Sequence, residues 1–386
     1  MAGLEEKLCP VCFQEAMEHG ECRKCGYHAG ESSAVKDYLA PFTILKEKYL
    51  LGKSLGQGGF EITYLAENMK SGLRCFIKEY IPSGQLQGRT PDGALIRADE
   101  ENRPEYEEGK QQFIEEACAL QELRENISVV DILDFFEENG TAYFAMELIE
   151  GCNLRVFLKN HNPKQTLKMA LQMLFLLGSS LAEVHRFGMI HGDISPENIL
   201  ITQDGEITLI DFGAARSFRQ GSDNKERKIY LKPNYAPYEQ YTQKPCQGPW
   251  TDIYALAATF YFIVSGRKML DALSRAKGAS YPPLHELCPA VSRQLSDVID
   301  KALAFDYHDR YRRMLDFLDA LEQVVRPEDY DIDLGALMPK SKASKQAEIH
   351  VETSDDSEKM CQVEEQNMPE PKRLAAFFHP KKRRLA

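Results

Sequence analysis

No apolar run in this sequence is long enough on its own to cross a bilayer. The longest, around Met169–Leu177 and Ala255–Val264, fall short of the roughly 18–20 residues that a spanning helix needs. The opening MAGLEEKLCP lacks a basic stretch followed by an apolar one, so no secretory leader is expected. Basic charge is in the minority, 47 Lys and Arg against 59 Asp and Glu. That balance argues against a surface built to coat nucleic acid or anionic lipid. No internal repeat is visible. With no leader, the ten cysteines read as metal ligands or buried thiols of a reducing, cytoplasmic setting rather than as disulfides.

What is present is enough for a sizeable core. At about 150 residues per domain, 386 residues make two domains or one large domain with small attachments. Hydrophobic residues at 43% and charged residues at 27% exclude wholesale disorder.

Four cysteines crowd the start as Cys9-Pro-Val-Cys12 and Cys22-Arg-Lys-Cys25-Gly26. Two C-x-x-C knuckles on facing hairpins can set four thiolates in a tetrahedron around one Zn²⁺. Pro10 stiffens the first knuckle, and Gly26 suits the tight turn after the second. A redox C-x-x-C pair would need a βαβ surround that is missing here. The remaining alternative is four unrelated buried thiols. The pattern leaves no open coordination position, so the expected zinc is structural and not catalytic.

Farther on, Leu55-Gly56-Gln57-Gly58-Gly59-Phe60-Glu61 lies between strand-like runs at Tyr49–Leu51 and Ile62–Ala66. Glycines there let backbone N–H groups approach phosphate oxygens without Cβ clashes. Alone, the segment reads equally well as an ordinary hairpin turn. It is followed by Cys75-Phe76-Ile77-Lys78, by a helix-like Phe113-Ile114-Glu115-Glu116-Ala117, by His191-Gly192-Asp193-Ile194-Ser195-Pro196-Glu197-Asn198 and by Ile210-Asp211-Phe212-Gly213. In this order and spacing the pieces resemble the eukaryotic-like protein kinase family. LGQGGFEITYLA, FIKEYIP, FFEENGTAYFAMELIEG and KPNYAPYEQY are similar to stretches of its bacterial Ser/Thr branch, where an N-terminal zinc ribbon is also familiar.

The resemblance covers about residues 49–325 and implies an α+β, two-lobed protein-kinase-like fold. A β-rich N-lobe would span 49–147 and a helical C-lobe 151–325. A zinc ribbon (1–30) and a linker (31–48) would precede them, and a disordered charged tail (326–386) would follow. The implied roles run along the chain. Gly56 and Gly58 would let the loop cover the phosphates of ATP. Lys78 would contact the α- and β-phosphates, held by Glu116, with Glu115 as the alternative partner. Met146 would be the gatekeeper, and Glu147 to Leu148 the hinge that bonds adenine. Asp193 would accept the proton of the substrate hydroxyl, and Asn198 and Asp211 would hold Mg²⁺. Glu239 would pair with Arg310, and Asp252 would brace the catalytic loop.

Four positions depart from the family pattern. Glu61 stands where a third glycine is usual, and a carboxylate beside the triphosphate is unfavourable unless it points away. Phe76 replaces an alanine above the adenine ring and is expected to crowd it. Gly192 replaces the arginine that grips a phosphorylated activation loop, so activation by loop phosphorylation is not expected. Ser195 stands in place of a lysine that reaches the transferring phosphate, while Lys232 falls where a threonine that touches that lysine is usual. The two residue types look exchanged, which makes Lys232 a candidate catalytic cation; the plain alternative is a surface charge near the cleft.

The resemblance implies a protein serine/threonine kinase acting with ATP and Mg²⁺ on a protein substrate. The alternative is a pseudokinase scaffold with weak or no phosphotransfer. A third reading, nucleic-acid binding led by the ribbon and the basic tail, runs against the acidic balance. The tail segment Leu374–Phe378 with Lys381–Arg384 has the make-up of a docking turn steered by charge; the plain alternative is a basic tail with incidental partners. A partner for the ribbon or for this tail is left open.

Overall fold

The computed structural model describes residues 8–329 except 15, 30–37, 59, 83–84, 98–102, 122, 124–127, 160–165, 213–215, 218–230 and 243–245. The tail is thus almost wholly outside the described residues, as is part of the linker.

The cysteine-rich start forms a small hairpin, β1 (Met17–Glu18) and β2 (Glu21–Cys22), with Met17 opposite Cys22. Next come β3 (Ile44–Leu45), β4 (Tyr49–Gln57), β5 (Glu61–Asn68) and β6 (Arg74–Tyr80). A short hairpin, β7 (Leu86–Arg89) with β8 (Leu95–Arg97), leads to helix α1 (Arg103–Gln121), and β9 (Ile132–Glu138) and β10 (Thr141–Glu147) complete the lobe. The antiparallel sheet runs β3-β4-β5-β6-β10-β9. Side chains alternate across it with period two. Ile62, Tyr64, Ala66, Cys75, Ile77, Tyr143 and Ala145 build the outer core. Phe76, Lys78, Tyr80, Phe144 and Met146 take the other face. There α1 packs on β9 and β10, with Phe113 against the rings of Tyr80 and Phe144 at 5.7 and 4.8 Å.

The hairpin domain sits on β4. Lys53 N donates to the Pro10 carbonyl at 2.8 Å. A Cβ on Gly52 would stand 2.2 Å from that same oxygen, so only glycine permits the approach.

The second lobe opens with β11 (Gly151–Asn153), α2 (Leu154–Lys159) and α3 (Thr166–Arg186). It continues through β12 (Met189–Ile190), β13 (Ile199–Thr202), β14 (Ile207–Leu209) and β15 (Arg216–Ser217). Helices α4 (Pro249–Ser265), α5 (Ala272–Ala276), α6 (Leu284–Leu287), α7 (Arg293–Ala302) and α8 (Met314–Glu322) finish it. Proline at the first position of α4 and a left-handed Gly266 (φ 68°) just past its end delimit that helix. Ile253 to Phe260 of α4 are buried throughout, which makes it the central post of the lobe. Helix α3 corrects one expectation. Leu167–Arg186 is long and apolar enough to cross a membrane by length and composition, even with Lys168 and Glu183 within it. It packs instead on α4 and α8, with Met169, Met173, Leu177 and Leu181 buried in the main core.

Candidate active site at the lobe junction

The two short strands β13 and β14 pair as a hairpin, Ile199 opposite Leu209, and so bring the segments on either side of them together. His191–Asn198 precedes β13 and Asp211 follows β14. Buried Asp252, at the start of α4, anchors the first of these. It accepts from His191 N, Gly192 N and His185 Nε2, each at 2.8 Å. Against the pull of burial, His185 and these amides hold its carboxyl below the ordinary range. His191 Nδ1 accepts from Asp193 N (3.2 Å) and its Nε2 donates to the Ile210 carbonyl (3.1 Å). Burial also lowers its pKa, so a neutral imidazole ties the two segments together.

Asp193 meets two side chains, Asn198 and Lys232. Asn198 Nδ2 donates to its carbonyl and to its Oδ2, both at 2.8 Å. Lys232 Nζ pairs with the same Oδ2 at 2.9 Å and donates to Ser195 Oγ at 2.9 Å. The exchanged pair seen in the sequence is therefore brought into contact, beside the expected base. Burial raises the Asp193 carboxyl and Lys232 draws it back.

Across the junction Lys78, 3% exposed, bonds Asp211 Oδ1 at 2.7 Å and forms a short ion pair with Glu61. Asp211 adopts φ 66°, a left-handed conformation that aspartate tolerates better than most side chains. The Lys78 ammonium holds its carboxyl well below the usual range. Glu116 is half-buried on α1; among the described residues the ion pairs of Lys78 are with Glu61 and Asp211. For Glu61 the reason is register. Thr63 lies directly opposite Lys78, so Glu61, two residues on, shares its face of the sheet.

Gly56 leaves open space where a Cβ would project, and the amide of Gly58 donates to the Glu61 carbonyl at 2.8 Å. Met146 is buried (8%) and lies opposite Phe76 in the sheet, so the half-buried phenyl stands on the Lys78 face. Glu147, expected in the hinge, exchanges two bonds with Asp131 (3.0 and 3.2 Å), and Leu148 is half-buried beside it. Glu239 and Arg310 form a buried bidentate pair at 2.7 and 3.1 Å.

Gln240 was not singled out from the sequence. It is 7% exposed and its Nε2 donates to the Gly192 carbonyl at 2.7 Å. Gly192 holds φ 77°, a conformation open to glycine at no steric cost. Its place directly after Glu239 was the signal available.

The four N-terminal cysteines converge, with all four Sγ atoms within 4.8 Å of one another. Cys9–Cys25 and Cys12–Cys22 Sγ distances are 3.5 and 3.6 Å. Tetrahedral thiolates about 2.3 Å from one ion would be about 3.8 Å apart, so the cluster fits a four-coordinate metal. Burial pushes the Cys12 thiol up to about 11 and raises Cys25 as well. Against burial, the amides of Cys25 and Lys24 draw Cys22 down to about 7. A dication offsets the charge that four thiolates would otherwise bury.

Comparison with known proteins agrees with this geometry. Residues 49–321 match the family model described as protein kinase domain. Serine/threonine-protein kinase F of Synechocystis sp. is 30% identical over 286 residues, covering 69% of this chain and 53% of that protein. Serine/threonine-protein kinase PknA of Nostoc sp. is 29% identical, covering 72% of this chain and 48% of that protein. The chain thus spans about half the length of these curated relatives. Among solved structures, one titled PpkA-294 apo form is 32% identical with a TM-score of 0.59, covering 75% of this chain and all (100%) of that one.

Proposed function

This chain belongs to the protein kinase family, and on that footing we propose that it transfers the γ-phosphate of Mg-ATP to serine or threonine hydroxyls of protein substrates. The observation that carries the reading is the convergence of Asp193, Asn198, Ser195, Lys232 and Asp211 at the junction from the second lobe, with Lys78 facing them from the first. Phosphoryl transfer asks the protein for little covalent chemistry; it asks for positioning and for cations where charge spreads. Asp193 is the base for the incoming hydroxyl. Asn198 and Asp211 supply oxygen ligands of the kind Mg²⁺ takes, and the metal offsets the triphosphate charge. Gly56 and Gly58 leave room for phosphates beneath the loop, Lys78 donates to them, and the hinge Glu147–Leu148 borders the base. The test is transfer of γ-labelled phosphate from Mg-ATP to a general protein acceptor. Label on serine or threonine is expected; bound nucleotide without transfer would refute catalysis.

Phe76 favours a second reading, a scaffold that binds nucleotide weakly. Its ring shares the Lys78 face, next to Met146. We expect Mg-ATP to bind, and Phe76→Ala to tighten binding about tenfold by removing 1–3 kcal/mol of overpacking. Calorimetric titration of both proteins decides it, since equal affinities would remove the crowding argument.

For the cysteine cluster the reading is one structural Zn²⁺ held by Cys9, Cys12, Cys22 and Cys25, which suits a reducing, cytoplasmic setting. Cys9→Ser combined with Cys22→Ser should remove the metal and unfold the hairpin domain alone. Metal analysis and calorimetry read this out: zinc is lost while the main melting transition stays. Stoichiometric zinc in the double variant would refute the ligand set.

A further inference from the structure

We infer that Glu61, and not Glu116, is the positioning residue of Lys78, so that the lysine is held from within the sheet and not from helix α1. The inference rests on the kinase reading of the same site.

The third glycine expected in the loop would offer no side chain. Here that position carries a carboxylate on β5, 16% exposed, and it pairs with an ammonium that is 4% exposed. Strands β5 and β6 are joined in continuous register from Glu61 opposite Tyr80 to Glu67 opposite Arg74. Main-chain hydrogen bonds thus set the distance between Glu61 and Lys78. A pair reaching from α1 would depend instead on where the helix lies. The ammonium has three protons to donate. Glu61 and Asp211 take two of them, which leaves one for a phosphate oxygen and aims it into the junction.

The charges agree with a holding role. Burial opposes the Lys78 charge, but Asp211 and Glu61 outweigh it and raise the lysine pKa. Burial also raises the Glu61 carboxyl, against the pull of Lys78. Together with Gly192, which removes the arginine expected to read a phosphorylated loop, this leaves the lysine set without a helix swing.

Three variants of the full chain test it: Glu61→Gln, Glu61→Gly and Glu116→Gln. Glu61→Gln should lower kcat about tenfold with KM for ATP nearly unchanged, while Glu116→Gln stays within about twofold of wild type. A second readout needs no turnover. In protein carrying ¹³C-labelled lysine, with the Lys78 signal assigned through Lys78→Arg, Glu61→Gln should move that signal. Glu116→Gln should leave it in place. If the wild type transfers no phosphate, the kinase reading fails, yet the lysine signal still decides who holds Lys78. The inference is overturned if Glu116→Gln produces the larger loss or the larger signal change. It is equally overturned if Glu61→Gly, which restores the loop's usual residue and should fold, raises kcat or ATP affinity; Glu61 would then be an obstacle to the triphosphate.

Discussion

Asp193→Asn should lower kcat for phosphotransfer about 1,000-fold, within the range that a positioned general base supplies. The amide keeps the shape of the side chain and an oxygen for Asn198 Nδ2, now 2.8 Å away, so the loop should stay in place. What it loses is a lone pair basic enough to take the hydroxyl proton and a charge opposite Lys232. Mg-ATP affinity should change little, because Asp211 and Lys78 keep their contact with each other. Parallel steady-state assays and Mg-ATP titrations check both halves. The pH profile adds a sign. The base works only when ionised, so the rate falls as pH drops through its pKa, and burial places that acid limb above the ordinary aspartate range. Turnover within tenfold of wild type would leave Asp193 without its assigned role.

The second large effect belongs to Lys232→Ala, expected to lower kcat about 100-fold or more through lost stabilisation of the spreading phosphoryl charge. Lys232 touches both Asp193 Oδ2 and Ser195 Oγ at 2.9 Å, so its ammonium stands where a lysine at 195 would reach. Ser195→Lys with Lys232→Thr should recover part of the rate, and the double-mutant cycle should be strongly non-additive. Lys232 also draws the Asp193 carboxyl down. Its removal should therefore shift the acid limb to higher pH, a change that a surface charge remote from the base would not cause. Near-wild-type turnover with an unmoved limb would return Lys232 to the plain alternative.

Much of this was legible in the chain. The order of the glycine loop, Lys78, Asp193, Asn198 and Asp211 announced two lobes with these residues gathered where they meet, because each residue type has few other reasons to recur at that spacing. The two C-x-x-C knuckles foretold a four-thiol cluster, since their chemistry is local. The Ser195 and Lys232 exchange was readable too, although the residues lie 37 positions apart, because the aligned motifs on either side give each a place. Tertiary structure decided what depends on pairing register and on which groups share a buried space. Nothing in the local sequence says that Glu61 would reach Lys78; the β5–β6 register does, since an odd or even offset sends a side chain to opposite faces of a sheet. Nor does it say that Gln240 would bond the Gly192 carbonyl, or that Gly52 is needed to let Pro10 approach. Those are contacts between distant segments. Local propensity and motif order select elements and chemistry, whereas the partner of a buried charge is chosen by the competing groups that packing brings within hydrogen-bond reach.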